Sequence, residues 1–164
     1  MASEIEGKWL NPDMTGQVVV GSKRLTQGYI AKDPNSTVAR IRQEGDEFVL
    51  AFKSKGHFEA QRPIERDFFD ELWPLTEGRS LTKIRYIVEL IGYQFTNLAH
   101  PPELRAEVDV FDGVLSGLVM VEVEVPTREH LEQLRSNPPG WFGQDVTDNP
   151  HYSNSWLAEH GLPI

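Results

Sequence analysis

Val119-Met120-Val121-Glu122-Val123-Glu124-Val125 alternates apolar and acidic residues. Successive side chains of a β-strand point to opposite faces, so Glu122 and Glu124 share one face. Val121, Val123 and Val125 share the other. Read alone, the segment is a strand with its valines in a core and its glutamates in water. Other segments repeat the pattern and change that reading. Glu107-Val108-Asp109 carries two acids on one parity, with Val108 and Val110 opposite. Glu4-Ile5-Glu6-Gly7-Lys8 sets two acids and a lysine on one face. Arg40-Ile41-Arg42 and Lys83-Ile84-Arg85 do the same with bases. Lys53 ends a stretch in which Phe48, Leu50 and Phe52 occupy the opposite parity. Several such strands fit one architecture, in which charges point into a barrel and apolar residues point out toward covering helices.

Turn residues separate these stretches. Strands are predicted at Glu4–Leu10, Arg24–Ala31, Thr37–Arg42, Glu47–Lys53, from His57 to Pro63, Thr82–Leu90, Arg105–Phe111 and Leu118–Val125. The region from Asn11 to Ser22 reads as a connector, and Asp33-Pro34-Asn35 closes the second strand. Gln43-Glu44-Gly45-Asp46 has the character of a hairpin turn. Phe68, Phe69 and Leu72 fall at helical spacing in Arg66–Leu72, with Pro74 closing the helix. Thr127 is a suitable N-cap for a helix to Arg135, and Asn154–His160 is a short C-terminal helix. The stretch around His100-Pro101-Pro102 reads as a loop. The predicted class is α+β: about eight mostly antiparallel strands in a barrel or strongly curved sheet, flanked by three helices, in a single domain over residues 1–164.

Composition excludes several functions. The chain of 164 residues has no cysteine, which removes disulfides, thiol nucleophiles and zinc–thiolate sites. Its net charge of −9 opposes binding of long nucleic acid, though not of a small polyanion in a local basic pocket. No apolar run spans a bilayer, and a cytoplasmic protein is expected. The histidines show no ligand spacing, and the serines lack a histidine–acid partner. The sequence leaves the oligomeric state open, with a homodimer as one arrangement.

An interior of arginines, lysines and carboxylates suits a polyanion bridged by a divalent cation. Arginine matches phosphate oxygens with its planar fork, and carboxylates hold hard cations such as Mg2+ or Mn2+. The polyanion-binding candidates are Arg40, Arg42, Lys53, Lys83 and Arg85, with Lys8 facing the same space. The metal candidates are the acids Glu4, Glu6, Glu122 and Glu124.

At these residues the chain resembles the CYTH superfamily, the triphosphate tunnel metalloenzymes. Glu4-Ile5-Glu6-Gly7-Lys8 is similar to the family's E-x-E-x-K signature, and Gln27-Gly28-Tyr29-Ile30 to its Q-G-Y-L strand. The basic and acidic strands quoted above follow in the family's order. Gly143-Gln144-Asp145-Val146-Thr147 and Tyr152-Ser153-Asn154-Ser155-Trp156-Leu157-Ala158 resemble its terminal segment. The resemblance implies an eight-stranded antiparallel β-barrel forming a tunnel, a divalent metal and a triphosphate bound by the basic residues above, with Lys8 and Tyr29 as a catalytic pair and Glu59, Glu107 and Asp109 as candidates for a second metal or for orienting water. It is strongest to the short bacterial inorganic triphosphatases. Thiamine triphosphatases, nucleoside triphosphatases and class IV adenylate cyclases share the pattern, and a non-catalytic polyphosphate binder would keep the same tunnel. Two departures bear on this. Gly7 replaces a basic residue on the outward parity, and Gln61 stands where a second acid is expected.

Overall fold

The alternating segments do form strands, and each places its charged parity on a common concave face. The computed structural model describes residues 4–32, 37–54, 59–96 and 103–164. Within them run β1 (Ile5–Leu10), β2 (Val19–Lys32), β3 (Thr37–Glu44), β4 (Glu47–Ser54), β5 (Glu59–Pro63), α1 (Arg66–Leu72) and β6 (Ser80–Glu89). They continue with β7 (Arg105–Phe111), β8 (Val119–Val125), α2 (Arg128–Ser136), β9 (Gln144–Asp145) and α3 (Asn154–His160). The predicted start of a strand at His57, the Asp33-Pro34-Asn35 stop and the His100-Pro101-Pro102 loop lie outside the described residues.

The strands form one antiparallel sheet in the order β5-β4-β3-β2-β6-β7-β8-β1-β9. This corrects the expectation in two ways. Among the described residues the sheet has nine strands rather than eight, because Gln144–Asp145 pairs with Trp9 and Leu10. Backbone pairing does not join the two ends of the order, so the barrel is not closed by a ladder. The sheet nevertheless curls back on itself. Lys53 on β4 lies 2.9 Å from Glu4 Oε2 beside β1, although five strands intervene in the order, counting neither β4 nor β1. Strand β2 also starts at Val19, inside the predicted connector, and pairs with β6 from there.

The outward parity is covered as the pattern predicts. Val121, Val123 and Val125 are buried with Trp9, Leu131 and Leu134, so α2 packs on β1 and β8. Thr127 caps α2, its Oγ1 accepting from the His130 amide. On the other flank, Ile41 and Phe48 pack against Phe69 of α1. The Phe48, Phe69 and Trp73 rings continue that contact, with centroids 5.0 and 5.4 Å apart along the row. Gly7 fits this packing: a Cβ there would collide with the Trp9 indole and stand 3.0 Å from Leu131 Cδ1.

The inward parity is graded along its length. On β1 it runs Glu6, Lys8, Leu10; on β8, Glu124, Glu122, Met120; on β7, Glu107, Asp109, Phe111; on β6, Arg85, Lys83, Leu81. Leu10, Leu81, Phe111 and Met120 join Leu118, Val146 and Leu157 of α3 in one buried cluster. The interior is therefore charged at one end and sealed by apolar side chains at the other.

Candidate functional site

The charged end encloses a cavity of ≈ 410 Å³ lined by residues of seven strands together with Glu4 and Asn154. Its bases are Arg40, Arg42, Lys53 and Arg85; its acids include Glu4, Glu6, Glu59, Glu107, Glu122 and Glu124. Strand register decides who meets whom. Lys8 lies opposite Glu122, and Glu6 opposite Glu124. Arg85 lies opposite Asp109, and Lys53 opposite Glu59.

Glu122 sits among cations. Arg85 Nη2 donates to its Oε2 at 3.2 Å, and Lys8 Nζ stands 3.8 Å from its Oε1. Burial pushes this carboxyl up, but Lys8, Lys83 and Arg85 outweigh burial and hold it down at about 2. Lys8 also meets Glu6 Oε1 at 3.2 Å. Burial works against the Lys8 ammonium, yet Glu122 and Glu6 raise its pKa above the ordinary lysine value. Glu6 is raised by burial and by the neighbouring Glu122 charge.

Arg85 grips Asp109 with two bonds, Nε to Oδ1 at 2.7 Å and Nη2 to Oδ2 at 2.8 Å, and also pairs with Glu107. Lys83 donates to Asp109 Oδ2 at 2.5 Å and to Asn154 Oδ1 at 2.9 Å. Burial dominates over these partners and lowers the Lys83 pKa. Lys83 and Asp109 are both 0% exposed and lie beneath the cavity rather than on its wall.

The opposite wall is arginine-rich. Arg42 donates from Nε to Gln27 Oε1 at 3.1 Å and from Nη1 to Glu44 at 2.9 Å. Gln27 in turn donates to the Tyr29 hydroxyl at 3.2 Å. Burial raises the Tyr29 pKa, so its phenol stays protonated in the neutral range. Arg40 reaches Glu59 at 3.6 Å, and its buried Nε has no hydrogen-bond partner. Across the open side of the sheet, Lys53 bridges Glu4 at 2.9 Å and Glu59 at 3.6 Å. Glu59 is raised by burial and by the neighbouring Glu4 carboxyl; in Glu4 the Glu59 carboxyl and Lys53 overcome burial and lower the pKa.

Neighbouring carboxyls suit a hard cation, which would sit between their oxygens and relieve their repulsion. Glu6 and Glu122 are such a pair. The donor set is entirely oxygen, as Mg2+ and Mn2+ require. Among the described residues no three His, Cys, Asp or Glu side chains converge into a preformed cage.

No protein-family model matches the chain. Two curated proteins do resemble it. An inorganic triphosphatase of Nitrosomonas europaea is 37% identical over 82% of this chain and 83% of its own length. The chain belongs to the CYTH superfamily, with its short bacterial triphosphatases. A second such relative, an inorganic triphosphatase of Acetivibrio thermocellus, is 29% identical over 98% of this chain and 96% of its own length. The crystal structure of an inorganic triphosphatase matches with TM-score 0.70 at 34% identity, covering 100% of this chain and 99% of that one. A putative adenylyl cyclase from Hippeastrum shares the fold alone, with TM-score 0.56 and 14% identity over 81% of this chain and 84% of its own.

In this CYTH chain the structure gathers the residues the sequence singled out into one place, with a division of position. Glu4, Glu6, Glu59, Glu107, Glu122, Glu124, Arg40, Arg42, Lys53 and Arg85 line the cavity. Lys83 and Asp109 stand below it as a buried pair, and Tyr29 is buried behind the arginine wall. Gln61 lines the cavity from β5, opposite Ala51. Two polar residues of the network lie in the quoted motifs but had no site role in the sequence reading. Gln27 is 0% exposed and orients Arg42, and its parity with Tyr29 was the available signal. Asn154 comes from α3, outside any alternating strand, so periodicity gave no sign of it.

Proposed function

We propose that this protein hydrolyses inorganic triphosphate to diphosphate and phosphate with a divalent cation. The observation that carries the reading is the cavity itself, in a chain of the triphosphatase family: Arg40, Arg42, Lys53 and Arg85 share its lining with a set of carboxylates. An anhydride chain with several negative charges needs the first set, and its bound cation needs the second.

Arg40, Arg42, Lys53 and Arg85 would bind phosphate oxygens. The unpartnered Arg40 Nε is a donor that a phosphate oxygen would satisfy. Glu4, Glu6, Glu122 and Glu124 would hold Mg2+ or Mn2+, with Glu59 and Glu107 as further oxygen donors; Asp109 is occupied by Lys83 and Arg85. When bound, such an ion would neutralise phosphate charge and acidify nearby water. Water would add to a terminal phosphorus and give up its proton to solvent or a lining carboxylate, while the P–O anhydride bond breaks and diphosphate leaves. Lys8 is held as a cation, so it would donate a proton to the leaving oxygen rather than act as a base; Tyr29, a neutral phenol behind the arginine wall, would act through Gln27 and Arg42.

The test is a substrate panel: triphosphate, thiamine triphosphate, ATP and diphosphate, with Mg2+ and Mn2+ separately. Turnover of triphosphate that disappears in Glu122→Gln is the expected result. Tight triphosphate binding without turnover would sink the hydrolase reading, and cyclic AMP from ATP would replace it with a cyclase. Gln61→Glu, restoring an acid to the cavity wall, shows whether that position limits the rate.

A further inference from the structure

We infer that Asn154 is a positioning residue of this site, which holds Glu122 away from Lys8 and thereby keeps both available to ligand. The inference rests on the metal and triphosphate reading above. It starts from one side chain that touches an ammonium and a carboxylate at once. Asn154 Oδ1 accepts from Lys83 Nζ at 2.9 Å, and Nδ2 donates to Glu122 Oε1 at 3.3 Å. The carboxamide is neutral and carries one acceptor and two donors, so it satisfies both neighbours without adding charge. The reverse flip would turn NH2 toward NH3+ and oxygen toward a carboxylate, so the partners fix the orientation.

The competition concerns Glu122 Oε1. Oε2 is engaged by Arg85 at 3.2 Å, and register sets Lys8 directly across from Glu122. The Lys8 ammonium is 3.8 Å from Oε1, close enough for attraction but too far for a hydrogen bond. Without the Asn154 donor, Oε1 has one strong partner left, and closing that gap would join Lys8 to Glu122. Glu6 already stands 3.2 Å from the same ammonium, so a Lys8 held by Glu122 as well is lost to phosphate, and a carboxylate so captured is lost to a cation.

The C-terminal helix exists in the right place to do this. Ser153 caps α3, its Oγ accepting from the Trp156 amide at 3.3 Å. Leu157 is 1% exposed in the apolar floor with Leu81, Phe111 and Met120. Trp156 is stacked between the His151 and His160 rings at 4.5 and 4.4 Å. Asn154, the first helical residue, is thus delivered to the charged layer by a helix anchored in the floor below it.

The experiment measures Mn2+ binding by calorimetry without substrate, then kcat and KM for triphosphate, in wild type, Asn154→Ala, Asn154→Leu and Leu157→Ala. Partners that orient metal ligands typically contribute about 10- to 100-fold in metal affinity. Both Asn154 variants should lose Mn2+ affinity by about that factor, with a raised KM and a lowered kcat. Asn154→Ala should keep a melting temperature near wild type, whereas Leu157→Ala should lower it and keep most of its Mn2+ affinity at low temperature. Asn154 variants that bind Mn2+ like wild type, with any change confined to the melting temperature, would overturn the inference. A wild type that neither binds Mn2+ nor turns over triphosphate would overturn the functional reading along with it. That result is distinct from active wild type beside unaffected variants.

Discussion

Lys83 Nζ lies 2.5 Å from Asp109 Oδ2, and neither residue is exposed to solvent. The partners are not equivalent, because Asp109 also holds Arg85 through two bonds. Removing Lys83 leaves Asp109 neutralised by Arg85. Removing Asp109 leaves a buried ammonium with Asn154 as its hydrogen-bond partner and only the more distant Glu122 to balance its charge. Breaking a buried pair so as to strand a charge costs about 3–5 kcal/mol. Asp109→Leu should therefore lose about that much in urea denaturation, and Lys83→Met distinctly less. Equal losses would mean that Arg85 does not compensate Asp109.

Lys53 and Glu4 provide the opposite case. Their 2.9 Å pair is partly exposed, with side chains 35% and 44% accessible. Exposed pairs contribute about 0–1 kcal/mol to stability. Lys53→Gln should change the denaturation midpoint little but raise the KM for triphosphate severalfold. A large stability loss with an unchanged KM would make Lys53 structural.

The carboxyls predict how stability varies with pH in metal-free protein. The Glu122 pKa falls from 4.5 to about 2 on folding. A depressed carboxyl adds stability that is present above pH 4.5 and lost as pH falls toward 2. The size is on the order of 3 kcal/mol. Glu6, Glu59 and Glu107 are raised, each chiefly by burial. For these the folded state binds the extra proton, so they add stability as pH falls from their raised values toward 4.5. Denaturation in EDTA should show greatest stability in mildly acid solution, with a steep loss below it. A monotonic rise from acid to neutral pH would contradict the raised set.

A divalent cation should replace those extra protons. Mg2+ or Mn2+ should raise the melting temperature at pH near 7.5 and do so less at pH near 5, where protons already occupy the carboxyls. Scanning calorimetry with and without EDTA decides this. A shift of equal size at both values would place the ion elsewhere.

Gly7→Ala tests the outer face. A methyl there meets the Trp9 indole and Leu131. Overpacking costs about 1–3 kcal/mol, so the variant should melt lower while its KM for triphosphate stays near wild type. A large KM change would show that the outer packing sets the position of Glu6 and Lys8.

What the sequence made legible follows from periodicity. Glu122, Glu124, Arg40, Arg42 and Lys8 lie on strands of period two, so their common face could be read directly. Depth could not. Glu122 and Lys83 look equally inward on their strands, yet Glu122 lines the cavity and Lys83 lies below it. The difference depends on stagger between strands, which sets Lys83 opposite Phe111 and Glu122 opposite Lys8. The ninth strand was hidden for another reason: Gln144–Asp145 has two residues and no alternation to detect. Asn154 depended on how α3 docks, through Leu157, into a floor assembled from four distant strands.

The pairing of β1 has a consequence for synthesis. Ile5 is partnered by Val125, and the next edge is closed by Asp145 against Trp9. As the polypeptide is made, β2 to β4 can pair with near neighbours, but β1 must wait for its match. Contacts that distant form slowly because a long loop must close first. Until then Glu6 and Lys8 have no wall to belong to, and the floor under them lacks Leu157 as well. A half-made chain therefore contains most of the arginines of this protein without yet containing its cavity.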